Sequence, residues 1–170
     1  MRSFIALLCF ITFVHAAQAQ PFVTRKGGHC YTLDVPGYLK KTYSLNDVAS
    51  LQYMDEEKVA FCIVIDDDKE HLKEAEISFA SVKEFLADFL KGYNTEVADR
   101  KESTPVEFTA NNNKHAQAEL TWSDEDGKFY MLVTAVETKT HYYKILTWTI
   151  ADNKTALKND FVKIAASLKD

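Results

Sequence analysis

Hydrophobic and polar positions alternate along this chain in two rhythms, and the points where one gives way to the other mark its elements. Tyr31, Leu33 and Val35 interleave with Cys30, Thr32 and Asp34, the period of a half-buried strand beginning at His29, and Pro36-Gly37 ends it. Residues 20–28, with Pro21, Gly27 and Gly28, read as an irregular lead-in. A short strand over Ser50 to Met54 precedes the polar turn Asp55-Glu56-Glu57-Lys58. Val59 to Ile65 then runs apolar without a break up to Asp66-Asp67-Asp68, which suits a strand buried on both faces. These two strands form a hairpin.

The rhythm changes at Ser81. Val82, Phe85, Leu86, Phe89, Leu90 and Tyr93 recur at helical spacing, Ser81 and Glu84 have the capping-box spacing, and Gly92 supplies a stop, so a helix is expected over Ser81 to Lys91. A polar linker from Asn94 to Thr104 follows. Ala116, Ala118, Leu120 and Trp122 alternate with His115, Gln117, Glu119 and Thr121. Asp126-Gly127 signals a hairpin turn. Phe129 to Val136 returns, Thr138-Lys139-Thr140 turns again, and His141 to Ile150 completes a meander of three antiparallel strands. A last amphipathic helix carries Leu157, Phe161, Ile164, Ala165 and Leu168 on one face, with Asp152 or Asn153 as its cap. The expected fold is α+β: an antiparallel sheet of about six strands flanked by two main helices, in one domain from Gln20 to Asp170.

The first nineteen residues follow neither rhythm. Met1-Arg2-Ser3 is a short basic start, Phe4 to Val14 an apolar run, and Ala17-Gln18-Ala19 a small-x-small cleavage pattern before Gln20. The apolar run is far shorter than the roughly 20 residues that span a bilayer, so residues 1–19 read as a cleaved signal peptide rather than an anchor. The mature chain is expected in the periplasm or secreted, with no membrane span after cleavage. The formal charge of −5 becomes one unit more negative when Arg2 leaves. Lys residues are interspersed with Asp and Glu, which argues against nucleic acid as the partner, because phosphate binding needs a basic face.

The opening strand ending in Val35-Pro36-Gly37-Tyr38, the buried strand Val59 to Ile65, the helix Ser81 to Lys91, the meander, and the closing Phe161-x-x-Ile164-x-x-Ser167-Leu168-Lys169 together resemble the PsbP-like, Mog-type α/β/α sandwich. The resemblance covers most of the mature chain and lies in element order and a loose closing pattern. It implies a non-catalytic scaffold, since relatives include extrinsic photosystem subunits, a Ran-binding factor and small exported bacterial proteins. It carries no catalytic motif onto numbered residues of this chain, and fold analogy is weak evidence for function.

Chemistry is sparse. Cys9 falls within the leader. Cys30 and Cys62 form an even pair in an exported chain, so a disulfide and two buried free thiols both fit; a bridge requires their strands to lie side by side with matching faces and would add roughly 3–4 kcal/mol in the chain-entropy model. Asp66-Asp67-Asp68 offers oxygen ligands but reads better as a strand end. Asp124-Glu125-Asp126-Gly127 resembles part of a calcium loop, yet Gly127 at the sixth position puts Trp122 at the first and Val133 at the twelfth, where acids are required. The histidines of the mature chain, His29, His71, His115 and His141, show no zinc-type spacing, and no nucleophile elbow or phosphate loop occurs. His115, beside Gln117 and Glu119, reads as the solvated side of its strand. Asn153-Lys154-Thr155 fits a glycosylation acceptor.

Aromatic residues are the remaining lead. Trp122, Phe129, Tyr130, Tyr142, Tyr143 and Trp148 crowd the meander, and Tyr142 and Tyr143, being neighbours in a strand, enter different faces. Tyr142, Trp148, Trp122 and His115 are the candidate ligand-binding residues. The reading is an exported, non-enzymatic binding or accessory module, free of cofactor and metal, acting on an unknown protein or small ligand. The alternatives are a small exported hydrolase with a site assembled from distant residues, and an envelope-stress or inhibitor protein.

Overall fold

The computed structural model describes residues 20–28 and 30–170, so the proposed leader and His29 lie outside the described residues. Among the described residues the order is β1 (Phe22–Gly27), β2 (Tyr31–Pro36), β3 (Lys40–Lys41), β4 (Leu51–Asp55), β5 (Ala60–Asp68), α1 (Lys69–Glu74) and α2 (Val82–Gly92). Then follow β6 (Lys101–Glu102), β7 (Val106–Ala110), β8 (Asn113–Asp124), β9 (Gly127–Glu137), β10 (His141–Ile150) and α3 (Lys154–Ala166).

The main sheet has eight strands rather than about six, in the order β3-β4-β5-β10-β9-β8-β6, with β7 also paired to β8. The additional strands are short or polar and escape a periodicity test. The length of β8 explains the branching: its first half pairs β7 from Ala110↔Asn113 to Val106↔Gln117, and its second half pairs β6 at Thr121 and Leu120. Every pairing is antiparallel. The lead-in is also ordered: β1 and β2 form a separate two-stranded ribbon. At its turn, a Cβ on Gly27 would overlap the Tyr31 ring, so only glycine lets that tyrosine fold back.

Both faces of the sheet are covered. On one, Tyr31, Leu33 and Val35 of β2 lie beside Leu157, Phe161 and Ile164 of α3 and bury Cys62, Val64, Leu132, Tyr143 and Ile145. On the other, Val82, Phe85, Leu86 and Leu90 of α2 bury Ile63, Leu120, Met131, Val133 and Leu146. Each such side chain, fully removed from water, contributes about 1.5–3 kcal/mol. The ribbon is stitched to α3 and the C-terminus by an antiparallel bridge between Thr32 and Lys169 and by the Asp34 amide donating to Ser167 Oγ at 2.8 Å. The result is an α/β/α sandwich with the ribbon sharing the α3 layer.

Local chemistry explains the element ends. Ser81 Oγ accepts from the Glu84 amide at 3.2 Å and caps α2, while the Glu84 carboxylate reaches the Ala80 amide, one residue beyond the capping-box position. Asp66 and Asp67 do not end β5 but pair with Tyr143 and Tyr142 inside it, and Asp68 caps α1 by accepting from the Glu70 and His71 amides. Asn153 makes no side-chain cap on α3; its amide donates instead to the Lys58 carbonyl at 2.9 Å. In the β8–β9 turn, positive φ falls on Gly127 alone (+130°), while Asp124 Oδ1 takes the Asp126 amide at 2.9 Å.

The β7–β8 turn places Asn111 (φ 50°) and Asn112 (φ 63°) at its two central positions, the left-handed pair of a type I′ hairpin. The Asn111 amide also donates to the Ala166 carbonyl at 2.9 Å and the Leu168 carbonyl at 3.1 Å, tying the turn to the end of α3. Asn111→Ala is expected to cost about 2–3 kcal/mol, from left-handed strain and lost hydrogen bonds, and Asn111→Gly only about 1 kcal/mol. Urea unfolding of both variants checks this; equal losses would show that the turn conformation carries nothing.

Candidate functional site

Tyr142, Trp148 and Trp122 all face α2, but they occupy different surroundings. Tyr142 is buried, stacked on Phe85 with ring centroids 4.7 Å apart, and Lys69 Nζ lies 4.4 Å from its ring centre. Trp122 is buried against Phe129 at 5.4 Å. Trp148 stacks on Phe61 at 5.0 Å with an interplanar angle of 15°, and both remain half-buried. Six residue steps along β10, roughly 20 Å, separate Tyr142 from Trp148. Cross-strand register continues the Phe61–Trp148 pair into a row of Met54, Phe61, Trp148 and Met131, open to solvent at its β4–β5 end.

His115 belongs to the opposite face. The side of β8 read as solvated lies under α3, where His115 is fully buried and stacked on Phe108 at 4.7 Å. The missed strand β7 supplies that cover. Burial pushes the His115 imidazole below its ordinary value, and the backbone carbonyls of Asn113 and Ala165 pull it partly back. Next to it on this face, Glu119 is held by Lys154 and Lys158 of α3. Burial pushes its carboxyl up, but the hydrogen bonds and charges of the two lysines win, and it stays below the usual carboxylate range.

Cys30 and Cys62 are not bridged; both are free. Cys62 is fully buried in β5, opposite Thr147, whereas Cys30 sits over the far end of that strand, 3.5 Å from the Tyr143 hydroxyl, and Tyr143 pairs with Asp66. Four residues of extended strand, roughly 13 Å, separate these levels, beyond the Cα distance a disulfide spans. Burial pushes the Cys62 thiol up to about 12, so it is an inert packing group.

Sequence reasoning missed what surrounds Cys30. Its sulfur, an Asp66 carboxylate oxygen and a His141 ring nitrogen all lie within 4.8 Å of one another. Asp68 and Asp170 approach the two ring nitrogens of His141, and the adjoining turns Asn111–Lys114 and Glu137–Thr140 line a cleft of about 500 Å³ ending at Asp170. One signal was legible: Asp66 and Asp68 share strand parity and point to one face. Their meeting with Cys30 and Asp170 depends on tertiary packing alone.

No protein-family model matches the chain, and no curated protein does. Solved structures do. Cyanobacterial PsbP from Synechocystis is similar with a TM-score of 0.62 at 12% identity, over 91% of this chain and 95% of that one. The fold is PsbP-like. LpqN of Mycobacterium tuberculosis, described as involved in cell envelope biogenesis, is similar to this PsbP-like chain with a TM-score of 0.56 at 11% identity, over 87% and 89% of the two chains. A Pseudomonas aeruginosa protein of unknown function matches with a TM-score of 0.50 at 9% identity, over 84% and 92%. Among the described residues, no helix is long and apolar enough to cross a membrane.

A buried neutral His115 makes folding sensitive to acid. With its native value lowered, the unfolded chain takes up the proton first, so stability is full above about pH 6.5 and falls as the pH drops below it. His115→Leu is expected to flatten this slope between about pH 6.5 and 5. Thermal midpoints of both proteins across that window check it; parallel curves would remove His115 as the cause.

Proposed function

We propose that this chain is an exported, non-enzymatic binding or accessory module that meets its partner through the half-exposed aromatic row around Trp148 and Phe61. The observation that carries the reading is the stacked Phe61–Trp148 pair, two large rings left half-buried on a face that α2 otherwise covers. Ordered aromatic rings lose little conformational freedom on binding and contribute large contact areas, which makes them frequent anchors of interfaces. Tyr142 and Trp122 then serve as buried supports of this face, Tyr142 through Phe85 and Trp122 through Phe129. Export through the leader at residues 1–19 supplies the compartment. The cell-envelope role printed for LpqN, a protein of similar fold, is consistent with that compartment.

Two measurements test the reading. The mass of the protein recovered outside the cytoplasm should correspond to a chain beginning at Gln20; recovery only of chain retaining residues 1–19, inside the cell, would sink the export component. A photo-crosslinking residue at Trp148 is expected to give one discrete adduct in the native envelope, lost on Phe61→Ala and absent when the probe is at Val162 on the outer side of α3. Identical adducts from both positions, or none, would count against the aromatic row.

A further inference from the structure

We infer that Cys30, Asp66 and His141, with Asp68 beside His141, form a binding site for a single transition-metal cation of the zinc class, at the end of the sheet remote from the aromatic row and on its other face. The site stands independently of the proposed partner surface. His141 begins β10, and six residues lie between it and Trp148.

Geometry comes first. Cys30 Sγ lies 3.9 Å from His141 Nε2, and Asp68 Oδ2 lies 3.6 Å from the same nitrogen. Around tetrahedral zinc, with bonds of about 2.3 Å to sulfur and about 2.0–2.1 Å to nitrogen or oxygen, neighbouring ligand atoms stand roughly 3.3–3.6 Å apart. The spacings observed are close to those edges. The Asp68–His141 separation is too long for a strong hydrogen bond. Cys30, Asp66 and His141 form the group whose ligand atoms all lie within 4.8 Å of one another, and Asp68 stands beside it through His141 Nε2.

The protonation pattern points the same way. Asp170 Oδ2 accepts from Thr138 Oγ1 at 2.5 Å and from Thr140 Oγ1 at 3.1 Å. When the Thr140 hydroxyl donates its one hydrogen to that carboxylate it meets His141 Nδ1, 2.8 Å away, as an acceptor, which is the tautomer with the ring proton on Nδ1. In that tautomer Nε2 turns a lone pair toward Cys30 Sγ and the Asp68 carboxylate. Nε2 and the Asp68 oxygen are then both acceptors, and a cation between them would relieve their repulsion, while the Cys30 sulfur faces Nε2 as a thiol donor or, deprotonated, as a third ligand. The imidazole–threonine–aspartate relay on Nδ1 is also the outer arrangement that fixes a metal-binding histidine in its tautomer. The Tyr143 hydroxyl, at 3.5 Å from the Cys30 sulfur, is placed to donate to it.

Charge complements this arrangement. Asp68 Oδ1 is committed to the Glu70 and His71 amides, which leaves Oδ2 turned to the site. Among the described residues, no Lys or Arg pairs with Asp66, Asp68 or Asp170; Lys69, which follows Asp68, is engaged with Glu137 and the Thr138 carbonyl. Three carboxylates gathered without a Lys or Arg partner favour a bound divalent cation. Thiolate, imidazole and carboxylate together select a borderline-soft metal over calcium or magnesium.

The test titrates the full mature chain, freed of metal with a chelator, with Zn²⁺ and with Co²⁺. One ion per chain is expected, with a sulfur-to-cobalt charge-transfer band and protection of Cys30 from alkylation by stoichiometric Zn²⁺. Cys30→Ser and His141→Gln should each weaken binding at least about tenfold, and Asp170→Asn, which acts only through Nδ1, about tenfold. Cys62→Ser should leave affinity unchanged. Absence of binding by a folded chain, or binding indifferent to both Cys30→Ser and His141→Gln, would overturn the site. So would alkylation of Cys30 that Zn²⁺ does not slow.

Discussion

Strand parity in β10 divides the molecule. His141, Tyr143 and Ile145 enter the layer built by α3 and the β1–β2 ribbon, while Tyr142, Leu146 and Trp148 enter the layer built by α2. A one-residue slip against β5 or β9 would exchange these two sets and put the wrong volumes into both cores at once, so the register is specified from both sides. Central position reinforces it. β10 has β5 and β9 as neighbours along almost its whole length, and no edge on which a slip could be absorbed.

That division also sets where function can reside. The covering helices occupy the middle of each face, and the strands run beyond them. At one end of β10 the overrun exposes apolar residues, Phe61 and Trp148, on the α2 side. At the other end it exposes polar ones on the α3 side, where His141 meets groups from β5, the ribbon and the C-terminus. Among the described residues, the side chains in the middle of the central strands are buried in the two cores.

How much was legible in the sequence follows from the same physics. Long periodic segments declared themselves: α2 with its Ser81 cap, the meander and the closing helix each bury a continuous stripe that only one period satisfies. Elements that bury little did not. β1 exposes Val23, Thr24 and Lys26, and β7 exposes Val106, Glu107 and Thr109, so neither has an apolar face to announce it. For β7 the cue was Asn111-Asn112, a pair suited to a left-handed turn. His115 was misread because alternation gives the two faces of a strand without saying which is covered; α3 lies over the polar one, and Lys154 and Lys158 reach down to satisfy Glu119.

The polar cluster carries a further structural consequence. Its members come from four separate places: Cys30 at the ribbon turn, Asp66 and Asp68 at the end of β5, His141 at the start of β10, and Asp170 at the C-terminus. Without a shared ligand the ribbon is held to the body by the burial of Tyr31, Leu33 and Val35, by the Thr32–Lys169 bridge and by the Asp34–Ser167 hydrogen bond. A cation bound by Cys30, β5 and β10 joins the ribbon to the central strands directly. Because those ligands converge only in the folded chain, the free energy of binding adds to the stability of the fold, and it does so at the two-stranded ribbon. The absence of a Cys30–Cys62 bridge then has a physical complement: the sulfur nearest the sheet end is directed toward nitrogen and oxygen donors, and the second sulfur is sealed among apolar side chains where it has nothing to bind.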